Sequence, residues 1–237
     1  MFLLGTFAPA LVALGLTERA EGRAATLALL RRIFRWQVSA RWYLFAAGYI
    51  VAIKLSAALL HRVVTGTWPP FGQQPWVLMA AAVLVSTWVQ AGEEIGWRGY
   101  ALPRLAERFG LASASVILGI LWACWHLPIF FLPESDTFGQ SFPLYLIQVT
   151  ALSVAMAWLY WRTEGSLLLV MLLHAAINNT KDIVPSALPG ATNSFSLRGS
   201  LVGWITVALL WIVAAYFLAR MPKATGRNAV RWGAEPV

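Results

Sequence analysis

Long apolar runs, each closed by a charge cluster or a proline- and glycine-rich stretch, divide this chain along its length and leave few folds open to it. The runs fall at about residues 2–17, 42–60, 76–92, 113–132, 142–161, 166–180 and 200–219. A hydrocarbon core of roughly 30 Å is crossed by about 20 residues of helix, and only helices or closed barrels satisfy their backbone there. Several runs are shorter than this, so tilt and mutual burial must make up the difference. Composition agrees. Hydrophobic residues are 59% of the 237 and charged ones only 12%, about half the usual share in soluble domains. The expected fold is all-α: a polytopic membrane helical bundle of about seven transmembrane helices. It occupies residues 1–219, followed by a basic tail over 220–237. Residues 1–17 lack a basic leading segment and read as a first membrane helix rather than a cleaved signal.

The net charge of +8 does not point to nucleic acid, because of where the charges lie. Arg19, Arg23, Arg31, Arg32, Arg35 and Arg41 share one connection; Arg98, Arg104 and Arg108 follow the third run; Arg220, Lys223, Arg227 and Arg231 sit in the tail. That alternation is the positive-inside pattern. It puts loops 18–41, 93–112 and 162–165 and the tail in the cytoplasm, and loops 61–75, 133–141 and 181–199 outside. Residues 18–40 form an amphipathic basic stretch suited to an anionic membrane surface. Trp36, Trp42, Trp68, Trp76 and Trp161 mark the interfaces. Lys54 lies inside a run, and its stem is expected to snorkel outward.

Polar groups inside apolar spans cost roughly 2.5–3.5 kcal/mol each for central charges and are normally kept for use. Three clusters stand out. The first, Gln90-Ala-Gly-Glu93-Glu94-Ile-Gly-Trp-Arg98, ends the third run. On a continuing helix Glu94 and Arg98, four apart, pair, while Glu93 turns about 100° away and stays available for chemistry. The second is Trp122-Ala-Cys-Trp-His126-Leu-Pro128, where the Trp122 ring can pack under the imidazole and Pro128 is expected to kink the helix. The third is His174-Ala-Ala-Ile-Asn178-Asn179, with imidazole and carboxamide on one side. Taken singly, each reads equally well as a helix-end ion pair, a packed histidine or interhelical glue. Together, a carboxylate, two imidazoles and an amide on three helices make a hydrolase inventory. His61, beside Arg62 at a span end, reads as interfacial.

Glu93-Glu94-x-x-x-Arg98, Trp122-x-x-x-His126 and His174-x-x-x-Asn178, in that order, resemble the three motifs of the CAAX prenyl protease 2 family. This is also called the Abi, or CAAX-and-bacteriocin-processing, family of intramembrane endopeptidases. The resemblance covers roughly residues 76–180, and the family's second motif usually opens with Phe where this chain has Trp122. The resemblance implies an integral, multi-pass protein of the plasma membrane with a site reached from the cytoplasmic side. It also implies endoproteolysis of a membrane-associated protein or peptide, prenylated or not. On that footing Glu93, with His126, would activate water, His174 and Asn178 would stabilise the oxyanion, and Glu94 with Arg98 would hold the helix. No cofactor is favoured. The competing reading is zinc held by Glu93, His126 and His174, a His₂Glu set, although His-Glu-x-x-His is absent. The rival to proteolysis is a non-proteolytic membrane immunity or scaffold protein that retains the fold. One difficulty stands in the sequence. With the third run ending near residue 92, Glu93 lies about 25 Å into its span and His126 about 20 Å into the oppositely running one. These depths meet only if the third helix continues through Arg104 or residues 104–114 lie along the surface.

Overall fold

The computed structural model describes residues 2–186 and 193–222. Helices α1 (Phe2–Glu21), α2 (Arg23–Arg31) and α3 (Ala40–Thr65) precede α4 (Trp76–Val89) and the short α5 (Ala91–Glu94). A π-helix follows (Ile95–Ala101), then α6 (Leu102–Phe109), α7 (Leu111–Trp125), α8 (Phe142–Arg162), α9 (Leu167–Thr180) and α10 (Leu201–Arg220). Among the described residues there is no strand. Five helical stretches are long and apolar enough to cross a membrane: Ala40–Thr65, Trp76–Phe109, Leu111–Phe131, Phe142–Arg162 and Leu201–Arg220. A polytopic helical bundle therefore stands, while a count of seven crossings is not carried: α9 is shorter, at 14 residues, and α1 is not among the five. Most of the basic tail falls outside the described residues.

The largest departure from expectation concerns the third span. Residues 93–109 are not a cytoplasmic loop. They continue the helix, so Trp76–Phe109 runs 34 residues, about 50 Å at 1.5 Å per residue. Glu93 is 16 residues from Phe109, and His126 is 15 residues from Leu111. Measured from the shared hairpin at Gly110, both lie about 23–24 Å along their helices, which removes the depth conflict. The charges that seemed to end the span are buried within it. The π-helix begins one residue after Glu94 and widens the local turn, a distortion that recurs at functional sites.

Two glycines let α1 lie against this stretch. A Cβ on Gly92 would sit 2.7 Å from the Thr6 carbonyl oxygen, and one on Gly96 would sit 2.6 Å from Pro9. Small residues four apart permit this close approach of membrane helices. Pro128 ends α7 rather than kinking it: the helix stops at Trp125 and a 3₁₀ segment runs Leu127–Phe131.

Helix α9 is the axis of the bundle, nearly all of it buried, with α3, α4 and α8 around it. At about 21 Å it is too short to reach both surfaces. Its arginine-side end is closed by the basic stretch after α1, where Ser166 Oγ donates to the Arg35 carbonyl (2.6 Å), Arg32 Nη1 donates to the Tyr160 hydroxyl (2.9 Å) and Arg35 pairs with Glu164. The stretch is thus packed into the bundle rather than merely laid on a surface. Lys54 also corrects its expectation. It is 2% exposed, and its ammonium donates to the Val184 carbonyl (3.0 Å) and the Ser186 hydroxyl. The helix carrying it ends at Thr65, 11 residues on, beyond the reach of a snorkelling stem.

Candidate active site

Helix geometry alone brings the first pair together. Glu94 and Arg98, four apart, are both 0% exposed, and Arg98 Nη1 donates to Glu94 Oε1 at 2.9 Å. From α9, His174 Nδ1–H donates to the same oxygen at 2.7 Å. Arg98 Nη2 also donates to Met156 Sδ (3.2 Å), and the guanidinium lies 4.3 Å from the Trp122 ring centroid. A buried carboxylate is tolerable only when paired and hydrogen-bonded, and Glu94 is both. It is the clamp that ties α5, the π-helix and α9 together.

Glu93 faces elsewhere. Trp122 Nε1–H donates to its Oε2 at 2.7 Å, and His126 Nε2 is 4.0 Å from that oxygen. His126 Nδ1 lies 2.8 Å from the Trp122 carbonyl. A carbonyl only accepts, so Nδ1 carries the proton and Nε2 presents its lone pair toward Glu93 when the ring is neutral. Glu93 keeps a small exposure of 8%, and His126 is half-buried.

Trp122 is the hub. Its ring meets His126 edge-on at 5.7 Å, as the four-residue spacing led us to expect, and meets His174 edge-on at 5.1 Å. Sequence reasoning foresaw the packing but not the indole N–H reaching a carboxylate on another helix. It also missed Tyr145, whose ring lies 5.8 Å from that of His126; a tyrosine in the otherwise apolar start of α8 was the available signal.

Glu93, Glu94, Arg98, His126 and His174 therefore converge around Trp122. Asn178 lies one turn beyond His174 and is exposed, making no side-chain hydrogen bond among the described residues. Its neighbour Asn179 supplies the interhelical glue instead, donating to Ser86 Oγ and the Ala175 carbonyl at 2.7 Å each. His61 is half-buried near the end of α3, with Nδ1 3.0 Å from the Thr67 carbonyl. For zinc, the three proposed ligands do not gather. Among the described residues no group of three His, Cys, Asp or Glu side chains is arranged to hold a metal, because His174 turns its Nδ1 to Glu94 while His126 faces Glu93.

Fold and site together define a polytopic helical membrane protein with two glutamates and one histidine buried between its helices and a second histidine half-buried beside them. Residues 72–180, which hold all six site residues, match the family model described as type II CAAX prenyl endopeptidase Rce1-like. The CAAX prenyl protease 2 of Methanococcus maripaludis is 31% identical over 98 residues, 39% of this chain. That match spans only 36% of the relative's length.

Proposed function

We propose that this protein is an intramembrane endopeptidase that hydrolyses a peptide bond in a membrane-associated, prenylated protein or peptide. The observation that carries the proposal is the 4.0 Å gap between Glu93 Oε2 and His126 Nε2. A water oxygen can stand about 2.8 Å from both, within ordinary hydrogen-bond range. Glu93, oriented by the Trp122 indole, takes a proton from that water as the oxygen attacks the scissile carbonyl. Asn178, exposed one turn from His174, donates to the oxyanion, and His174 flanks it. The proton then passes to the departing amine nitrogen as the C–N bond breaks. Glu94 and Arg98 hold the frame and do not touch the reacting atoms. The ligands do not fit zinc as arranged, so no step runs through a metal.

The test is hydrolysis of a farnesylated CAAX peptide in H₂¹⁸O by purified protein. One ¹⁸O atom in the newly formed carboxylate, and no product with Glu93→Ala, support the reading. Absence of cleavage with prenylated and unprenylated peptides would put the immunity or scaffold reading ahead.

Sidedness needs its own experiment. Tyr145 connects His126 to the end of the bundle carrying residues 133–141, whereas most of the arginines gather at the opposite end. Cytoplasmic access at the plasma membrane, which the resemblance implies, needs residues 133–141 to face the cytoplasm; the charge bias needs them to face away. Labelling Ser135→Cys in a Cys124→Ser background with an impermeant thiol reagent decides between these. Labelling of intact cells would keep the charge-based topology and move access to the outer face. Labelling only from inside would keep cytoplasmic access.

A further inference from the structure

Away from the candidate site, the start of α3 and the ends of α8 and α10 are joined by aromatic rings. Phe217 of α10 stacks on Trp158 of α8, with 4.9 Å between centroids and 12° between planes, and meets Phe45 of α3 edge-on at 5.9 Å. Phe45 in turn meets Trp42 edge-on at 6.1 Å, and Trp158 meets Trp161 edge-on at 5.2 Å. Trp158 and Phe217 are buried, and Trp42 and Trp161 are half-buried. These indoles are therefore fixed by the bundle, unlike a tryptophan that merely floats at an interface.

Arg162 lies over this aromatic floor. Its guanidinium carbon stands 5.4 Å from the Trp161 ring centroid, 5.5 Å from that of Trp158 and 5.6 Å from that of Trp42. Arg41 lies over the same Trp42 ring at 5.0 Å. Arg220, three residues past Phe217, lies over Tyr216 at 5.3 Å and adds a third positive charge at this end. All three arginines are exposed. Elsewhere in the bundle Arg35, Arg98 and Arg104 each pair with a glutamate, and Glu164, two residues beyond Arg162, is the partner of Arg35. Among the described residues no carboxylate pairs with Arg41, Arg162 or Arg220, and no acceptor takes any of the five N–H donors of Arg162. Ring faces hold a guanidinium by its own face and leave its N–H edge free. That edge is what grips a phosphate through two parallel hydrogen bonds.

We infer that the junction of α3, α8 and α10 binds the phosphate of an anionic phospholipid, with Arg162 at its centre and Arg41 and Arg220 beside it. Charge complementarity selects an anion, since three cations stand together without a counter-charge among the described residues. The surroundings select a lipid over a free anion. Leu44 and Tyr216, exposed next to Phe45 and Phe217, offer acyl chains an apolar surface, and basic recesses between membrane helices take anionic headgroups. A lipid held there bridges three helices that are far apart in sequence. Two of them, α3 and α10, lie outside the segment 72–180 that matches the family.

The experiment uses the full chain in detergent, with phosphatidylglycerol and phosphatidylcholine of the same acyl chains added in equal amounts and bound lipid counted by native mass spectrometry. One arginine near an anionic headgroup is worth roughly a fivefold gain in affinity. The wild type is expected to prefer phosphatidylglycerol by about tenfold. Arg162→Gln should cut that preference about fivefold, and Arg162→Gln with Arg41→Gln should bring it close to one. Both side chains are exposed, so the thermal unfolding of the lipid-free variants should match that of the wild type. Arg108→Gln removes an equal charge from an exposed arginine over Phe109, in a different hairpin, and should leave the preference unchanged. Equal binding of the two lipids by the wild type would overturn the site. A preference untouched by Arg162→Gln would overturn its placement at this junction. An equal loss in Arg108→Gln would replace the site by a general effect of net charge. Displacement of phosphatidylglycerol by soluble glycerol phosphate at comparable concentration would make the occupant a free phosphate ester and overturn the lipid.

Discussion

Adjacent glutamates in one helix should respond oppositely to the same isosteric change. Glu94→Gln removes the charge that faces Arg98 and accepts from His174, in a place where Glu94 and Arg98 are 0% exposed. Breaking a buried pair by neutralising one partner strands the other charge, at about 3–5 kcal/mol. For a chain of this size each kcal/mol moves Tm by about 2–4 °C, so the loss should be on the order of 10 °C. Glu93→Gln is different. Its amide oxygen can still accept from Trp122 Nε1, the buried Arg98 hydrogen-bonds Glu94 and not Glu93, and the residue keeps contact with the site opening. Its Tm should shift by no more than about 2 °C, with peptide cleavage lost. The assay is thermal unfolding in detergent, followed by intrinsic tryptophan fluorescence, beside turnover of the farnesylated peptide. The reasoning fails if Glu93→Gln is as destabilising as Glu94→Gln, or if Glu94→Gln unfolds at the wild-type temperature.

Other changes test the surrounding frame. Trp122→Phe keeps the rings that pack on His126 and His174 but deletes the N–H to Glu93; kcat should fall about tenfold, near the 1.5 kcal/mol low end for a hydrogen bond to a charge, with KM changed less than about threefold. An unchanged kcat would make the indole a packing group only. Gly96→Leu drives a side chain into Pro9, since even its Cβ would stand 2.6 Å away; it should cost at least about 3 kcal/mol of stability, at the upper end for overpacking, read as the same Tm shift. Asn178→Ala should lower kcat about 100-fold with Tm unchanged, as removal of an oxyanion donor does elsewhere, whereas Asn179→Ala should lower Tm and spare kcat, because its amide joins α9 to Ser86 on α4.

The legible parts of this chain were those set by local periodicity. Apolar runs located the helices, and a spacing of four placed Glu94 on Arg98 and Trp122 under His126. What escaped depended on contacts between distant segments. In sequence, Glu93, Glu94 and Arg98 look like a polar end to the third span at residue 92; they are tolerated inside because His174 and Trp122, some 30 to 80 residues on, give them partners. Gly92 and Gly96 carry no apolar signal, yet they decide where α1 lies. A long stem six residues from the end of its apolar run suits Lys54 to snorkelling, but the helix reaches Thr65, and the loop around Val184 and Ser186 supplies acceptors that no local pattern announces. Asn178 and Asn179 look interchangeable in sequence, and only the position of Ser86 separates them.

Glu93 is proposed to activate water without a bound metal. Cleavage of a farnesylated CAAX peptide by purified wild type, by wild type dialysed against a chelator and by Glu93→Ala tests it most directly. The account predicts equal rates for the first two and none for the third. Activity lost to the chelator and restored by zinc would contradict it, and would make Glu93, His126 and His174 ligands after a rearrangement that frees His174 from Glu94.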